Sequence, residues 1–430
     1  MKTNYIKQAW ASLRQQPMLS SVSIIGTALA IFLIMIVVMI GQLETAPFAP
    51  ESNRDRWLVS KFGTITNDKW GNDNSSNGPY GYNTVKQVLY RMETPEAVSA
   101  FETNPSTASV AVPNESAFGA MLLNTDAGFW NVFDFTFING NPYTQEEFES
   151  GITKAVISES LARKLFKSTD VVGRHFSIDH SDYTVSGVVE DVSNVVSYCY
   201  ADLWVPFTST NVGDFSWCEY MGSLSMVMLA KDKKDFGEIR AEYERLFDDL
   251  NREAGERGWN FKLMDRPYTQ EVAANTPWAN LPPDMPAVYR EKFIIFLILL
   301  IVPAVNLSSM THSRLARRRE EIGVRRAFGA HRSEIVRDLF IECLIITIIA
   351  GLIGLLLSLI GGLLFADKIF TPSIFSANYK VTSISIRHLF HWSTFAWAML
   401  FCFILNVLSA ALPSINASRV NIVNALSGKK

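Results

Sequence analysis

Between Arg14 and Glu44 the chain carries no charged residue, and Leu19 to Gly41 within it reads LSSVSIIGTALAIFLIMIVVMIG. These 23 residues exceed the roughly 20 that a helix needs to cross the hydrocarbon core of a bilayer. A cleavable leader would have an apolar core of about 7 to 15 residues, so an uncleaved membrane anchor is expected. Three more apolar runs come late in the chain, Phe293 to Met310, Cys343 to Ala366 and Thr394 to Pro413, each long enough to cross. The pattern predicts transmembrane helices over 19–43, 293–313, 339–366 and 394–413.

The long interval 44–292 has no further span and alternates between strand and helix periods. Lys154 to Ile157 reads as a strand, after which Ser158 caps a helix carrying Leu161, Leu165 and Phe166 on one face. Gly173 breaks the chain before a strand at His175 to Ile178; a turn from Asp179 to Asp182 leads to another from Tyr183 to Val189. Leu224 to Ala230 is an apolar strand, and Asp235 with Glu238 three residues on forms a capping box for a helix. Its stripe of Ile239, Tyr243, Leu246, Phe247 and Leu250 reads as core. Asn72 to Gly81, NDNSSNGPYG, reads as an exposed loop.

Charge gives these elements a direction, because basic residues beside spans are retained on the cytoplasmic side. Lys2, Lys7 and Arg14 precede the first span without an acid, 314–338 holds eight arginines against four acids, and Arg419, Lys429 and Lys430 follow the last span. Both termini are therefore expected in the cytoplasm, with 44–292 and a short loop at 367–393 outside. The formal net charge of −3 conceals an external stretch with 22 basic and 36 acidic residues, a net of −14. Ahead of the first span, Ile6, Trp10 and Leu13 at helical spacing among basic residues describe a helix at 1–18 lying in the membrane interface. An apolar fraction of 48% excludes a disordered chain or a small disulfide scaffold.

The candidate chemistry is sparse. His388 and His391 share a helical face without a nearby Cys, Asp or Glu, and His175 and His180 flank a turn, so no metal site is expected. Glu190 and Asp191 end a strand, and no Ser, His and acid constellation or GxxxxGK[ST] phosphate loop occurs within the 430 residues. The chain is expected to be no enzyme, to hold no cofactor and to bind no nucleic acid. Cys199 and Cys218, 19 residues apart in a compartment that permits disulfides, are expected to pair. Cys343 and Cys402 read as packing residues within spans.

The run from Phe129 to Asp191, with FWNVFDFTFINGNPYTQ, KAVISESLARKLF, VVGRHFSI and YTVSGVVEDV, resembles the periplasmic core domain of MacB-type permeases. Arg314 to Glu342, RLARRREEIGVRRAFGAHRSEIVRDLFIE, and Pro413 to Leu426, PSINASRVNIVNAL, resemble the wider FtsX-like permease family. The resemblance implies an α-helical membrane protein with four transmembrane helices and a large α/β extracytoplasmic domain, built as a porter-like lobe with an inserted second lobe. It implies the permease subunit of an ABC transporter in the inner membrane, paired with a second permease chain and a separate ATPase that holds ATP and Mg. A periplasmic adaptor and outer-membrane channel would complete an efflux pump in a Gram-negative envelope. Control of a cell-wall hydrolase and lipoprotein release are the alternatives within the family.

On that resemblance, Arg317, Arg318, Arg319, Glu320, Glu321, Arg325, Arg326, Gly329, Arg332 and Ser333 form an elbow that docks on the ATPase. The same arginines face anionic lipid, each worth about 1 kcal/mol near the surface. Gly329 is expected to end one helix and Ser333 to cap the next. The spans carry no ionisable residue at mid-depth, where such residues usually mark a polar pathway. Substrate is accordingly expected to be handled by the external domain, with the spans acting as levers.

Overall fold

A computed structural model describes residues 14, 17–70, 74–193, 196, 198–210, 218–276, 279–299, 301, 324, 327–329, 331–364, 395–404 and 407. These divide into a helical unit, up to Gly41 and from Pro286 onward, and an α/β domain, Gln42–Met285.

In the helical unit, α1 runs from Pro17 to Thr45. Two helices among the described residues are long and apolar enough to cross a bilayer, Ser20–Gln42 and Phe340–Gly362. They fall at the first and third of the four expected spans. The second expected span is described as helix over 285–299 and at 301, and the fourth as the short apolar helix Phe395–Ile404; their remainders lie outside the described residues, as does most of the expected interfacial helix at 1–18. Ile31, Ile34 and Met35 of α1 pack with Ala398 and Cys402 in one apolar cluster, against which Leu355 and Met399 also lie. A Cβ added at Gly354 would stand 2.7 Å from the Ala28 carbonyl oxygen and 2.9 Å from Ile31 Cβ, so a larger residue would push apart two backbones that touch. Small residues serve this purpose where lipid is as apolar as leucine and the hydrophobic effect gives helices no reason to meet.

The α/β domain is built on strands β1 (Trp57–Ser60), β2 (Gly63–Asn67), β3 (Ser75–Gly78), β4 (Ala97–Glu102), β5 (Ser106–Ala111), β6 (Phe118–Thr125) and β7 (Phe137–Gly140). They continue with β8 (Lys154–Ser158), β9 (His175–Ile178), β10 (Ser181–Val189), β11 (Leu203–Pro206), β12 (Leu224–Leu229), β13 (Trp259–Lys262) and β14 (Tyr268–Thr269). The larger sheet has the order β11-β8-β10-β9-β5-β6-β4-β12-β1-β14, with β7 paired to β10, and a further β11–β6 pairing closes the first six into a ring. β13, β2 and β3 form a small second sheet.

Two apolar cores lie on opposite faces of the shared strands. Leu122, Ala155, Ile157, Leu203 and Val205 join one core, while their neighbours Leu123, Val156 and Trp204 join the other. Because successive side chains point to opposite faces, strands buried on both sides read as unbroken apolar runs, which explains AVI in β8 and LWV in β11. In β10 a bulge between Val185 and Gly187 shifts the register. Tyr183, Val185 and Val188 consequently reach the same core despite breaking the alternation.

Helix α2 (Tyr82–Gln87), α3 (Phe129–Val132) and α4 (Gln145–Glu149) are short. The helix α5 (Glu159–Phe166) begins as expected, with the Ser158 side chain accepting from the Leu161 amide. Helix α6 (Phe236–Gly255) buries Ile239, Tyr243, Leu246, Phe247 and Leu250, the predicted stripe. Its capping box sits one turn earlier than expected, between Asp232 and Asp235, because a 3-10 turn over Lys233–Asp235 precedes the helix. A further short helix, α7 (Gln270–Ala274), follows β14, and its Gln270 accepts from Trp57 Nε1 at 3.1 Å. The expected loop at 72–81 is corrected too, apart from residues 72 and 73, which lie outside the described residues. Ser75–Gly78 pairs with β2 and Tyr80 is buried, a case of cross-strand pairing overriding weak strand propensity.

Candidate functional site

Helix α1 reaches Thr45 and the chain then enters a short strap before β1, where the charged run ESNRDR at 51–56 would be expected on the surface. The strap folds back instead. Phe48 and Glu51 form a bridge pair and the Arg54 amide donates to the Glu51 carbonyl at 3.3 Å, which brings the two charged side chains together on one side of a tight turn. Glu51 is 0% and Arg54 1% exposed. Nε and Nη2 of Arg54 both stand 2.6 Å from Oε2 of Glu51. Nη1 donates to the Ala46 carbonyl at 3.2 Å, and the guanidinium lies 4.3 Å from the centre of the Phe48 ring.

The other Glu51 oxygen leaves the strap. Oε1 accepts from the Tyr198 amide at 2.7 Å and from the Cys199 thiol at 3.4 Å. Nearby, Asn53 Nδ2 donates to the Val132 carbonyl at 3.1 Å and the Asp134 amide to the Pro50 carbonyl at 2.7 Å. Arg56 donates to the Ala230 and Lys231 carbonyls, just beyond β12. The strap that ends α1 is thus fastened to α3, to the β10–β11 connection and to the end of β12. An ion pair this deep is costly to desolvate and holds only when every donor and acceptor is placed.

Cys199 has its own role here, and the expected disulfide is not formed: Cys199 and Cys218 are both free thiols. Cys199 is drawn into the core, where its carbonyl accepts from Trp204 Nε1 at 3.1 Å, while Cys218 sits in a turn bridged to Met221. Burial, reinforced by the Glu51 charge, pushes the Cys199 thiol well above its ordinary pKa, and burial raises Cys218. Neither is a reactive thiolate. Sequence spacing measures chain length between cysteines and carries no information on which core each enters.

A second buried carboxylate, Asp126, ends β6. It accepts from Ser99 Oγ at 2.8 Å, the Ala100 amide at 2.6 Å, Tyr90 Oη at 2.9 Å and the Phe129 amide at 2.9 Å. Burial pushes it up to about 6 although all four hydrogen bonds pull the other way. Its donors tie β4, β6 and α3 together, which makes it a fastener. Among the described residues no group of His, Cys, Asp and Glu could hold a metal ion.

Of the predicted elbow, Arg317, Arg318, Arg319, Glu320, Glu321, Arg325 and Arg326 lie outside the described residues. Gly329 does close a helical turn, with φ of +93° and the Phe328 amide donating to the Val324 carbonyl at 3.1 Å. The next helix, α8, runs unbroken from Arg332 to Leu364. Ser333 therefore lies inside its first turn rather than capping it. Glu334 closes that end, with Oε2 accepting from the His331 amide at 3.3 Å. Phe328 at the bend is 89% exposed, an apolar side chain set in an arginine-rich stretch and not singled out by the charge pattern. The Glu51–Arg54 knot was also missed; its faint trace is an acid and an arginine three apart immediately after a span and a proline.

Residues 20–246 match the model of the MacB-like periplasmic core domain, and residues 293–422 the model of the FtsX-like permease C-terminal region. The uncharacterized ABC transporter permease YknZ of Bacillus subtilis is 22% identical over 433 residues, covering 98% of both chains. The macrolide export ATP-binding/permease protein MacB of Escherichia coli strain K12 is 22% identical over 429 residues, and the chain spans 60% of its length. Among solved structures, the extracellular domain of YknZ from Gram-positive bacteria covers 47% of this chain at 17% identity with a TM-score of 0.33. The periplasmic region of MacB from Actinobacillus actinomycetemcomitans covers 48% at 16% identity with a TM-score of 0.32.

Proposed function

Because the chain belongs to the family of FtsX-like permeases with a MacB-like periplasmic core domain, we propose that it is the membrane subunit of an ABC transporter. In this reading a separate ATPase subunit hydrolyses ATP, and the chain converts that event into movement of its α/β domain for export or efflux. The observation that carries it is the unbroken helix α1 delivered into a strap fastened by a fully buried ion pair. A span that ended in a loose loop would lose its movement in the loop. The lack of a phosphate loop within these residues supports placing ATP and Mg in the partner.

The ATPase docks at the bend around Gly329, where Phe328 offers an apolar contact and Arg325 and Arg326 a basic one. Replacing both Arg325 and Arg326 by Glu should reduce co-purification of the ATPase encoded with the permease at least tenfold, while membrane insertion persists on the remaining arginines. Undiminished co-purification would move the docking site elsewhere. A second permease chain completes the membrane assembly, and a periplasmic adaptor with an outer-membrane channel completes an efflux pump.

The charge pattern places both termini and the bend in the cytoplasm and the α/β domain beyond the inner membrane. Reporter fusions near Gly140 should therefore be active outside and fusions near Arg325 inside. A cytoplasmic Gly140 reporter would overturn this topology.

A further inference from the structure

Arg266 is 6% exposed and, among the described residues, faces no acid within ion-pairing distance. Its hydrogen bonds go to neutral oxygens. Nη2 donates to the Ala279 carbonyl, while Nη1 donates to Thr64 Oγ1 at 3.3 Å and to the Leu263 carbonyl at 3.4 Å. The single Thr64 hydroxyl proton has two acceptors at 2.8 Å, the same Ala279 carbonyl and Asn77 Oδ1 of β3. The Ala279 carbonyl is thus held by an arginine that follows β13, with a threonine of β2 sharing its proton between that carbonyl and β3. Burying a guanidinium without a counter-ion is expensive, and a merely space-filling role would be met by an apolar side chain.

The backbone behind Arg266 carries a second sign of constraint. Met264 and Asp265 adopt φ of 51° and 62°, the left-handed region that residues with a Cβ seldom enter. Two such residues in succession are kept where the surroundings demand them. Here they turn the chain so that Arg266 points back toward β2, and Arg240 Nε holds the next carbonyl, Pro267, at 3.2 Å.

What Ala279 leads to gives the grip its meaning. Only residues 280–284, which include Pro282 and Pro283, separate it from the helical run 285–299, and two prolines leave little freedom in so short a link. The carbonyl that Arg266 holds thus stands five intervening residues ahead of the helical run that leads into the second expected span.

We propose that Arg266, together with Thr64, is a positioning clamp that couples the second span to the small sheet of β13, β2 and β3. The proposal rests on the permease reading above. Movement of the span reaches Ala279 through the stiff link and is passed by Arg266 into β2. The Glu51–Arg54 knot after the first expected span and this clamp ahead of the second each set a buried arginine on the carbonyl of an alanine.

The test is hydrogen–deuterium exchange on the full chain with its ATPase in nanodiscs. Without nucleotide, Arg266→Met should raise exchange over 279–285 at least tenfold, with Thr64→Val giving a smaller increase. With ATP and vanadate, the wild-type complex should change its exchange in β2 and β13, and Arg266→Met should lose that change while hydrolysing ATP within twofold of wild type. Arg266→Lys, which can reach one oxygen without the fork, should fall between and serves as the variant to read if the methionine form fails to fold. Unaltered exchange over 279–285 in these variants would overturn the clamp itself. A nucleotide-dependent change that survives in β2 and β13 would overturn its coupling role. If the wild-type domain shows no nucleotide-dependent change at all while 279–285 still loosens in Arg266→Met, the tether stands, and its coupling role falls along with the permease reading.

Discussion

Replacing Arg54 by Met is expected to destabilise the α/β domain by about 3–5 kcal/mol, the usual consequence of stranding one partner of a buried ion pair. Glu51 would remain with no cation on Oε2, at a site with 0% exposure, and the Ala46 carbonyl would lose its donor. For a domain of this size each kcal/mol moves the melting temperature by roughly 2–4 °C, so the transition should fall by about 10 °C. The double variant Glu51→Gln with Arg54→Met should be more stable than the single one, because the stranded charge is gone. Its side-chain amide oxygen at position 51 would still accept from the Tyr198 amide. A thermal melt of the full chain in detergent reads both variants, and a loss below about 1 kcal/mol would mean that water reaches the pair. The same substitution loosens the exit of α1, so whatever domain survives should respond less to nucleotide than wild type.

Inserting a flexible Gly/Ser segment immediately before Phe293 is expected to abolish coupling completely while ATP hydrolysis continues. Phe293 lies within the helical run 285–299, and a helix transmits axial or bending movement only while its backbone hydrogen bonds are continuous. A Gly/Ser segment behaves as a flexible coil and absorbs that movement. The measurement is the nucleotide-dependent change in protease sensitivity of the α/β domain in the complex with its ATPase. An equal insertion beside Asn114, in the exposed turn between β5 and β6, is the control and should leave the response intact. A response that survives the insertion before Phe293 would remove the lever and require substrate to pass among the spans themselves.

Much of the local structure was legible because it depends on neighbours in the chain. An apolar run of 23 residues has one physical solution in a bilayer, since only a helix satisfies its own backbone there. The same holds for the stripe of α6 and the Ser158 cap of α5, whose periods and partners lie within a turn or two. Two of the departures show where neighbours in the chain stop deciding. The capping box at Asp232 slipped because several acids near α6 could serve, and β3 was missed because its residues favour loops and its partner, β2, decides otherwise.

The sequence by itself determined where the long apolar helices α1 and α8 lie and that the stretch after the first of them folds as α/β, and through its arginines it set an orientation to test. Only the tertiary structure decided which charges are buried. Glu51 meets Tyr198 and Cys199 across 147 and 148 positions, and Thr64 meets Ala279 across 215, separations at which no local pattern operates. A charged side chain next to polar neighbours reads as surface until distant segments close over it. Whether it is then a liability or a fastener depends on partners that the fold alone brings within hydrogen-bonding distance.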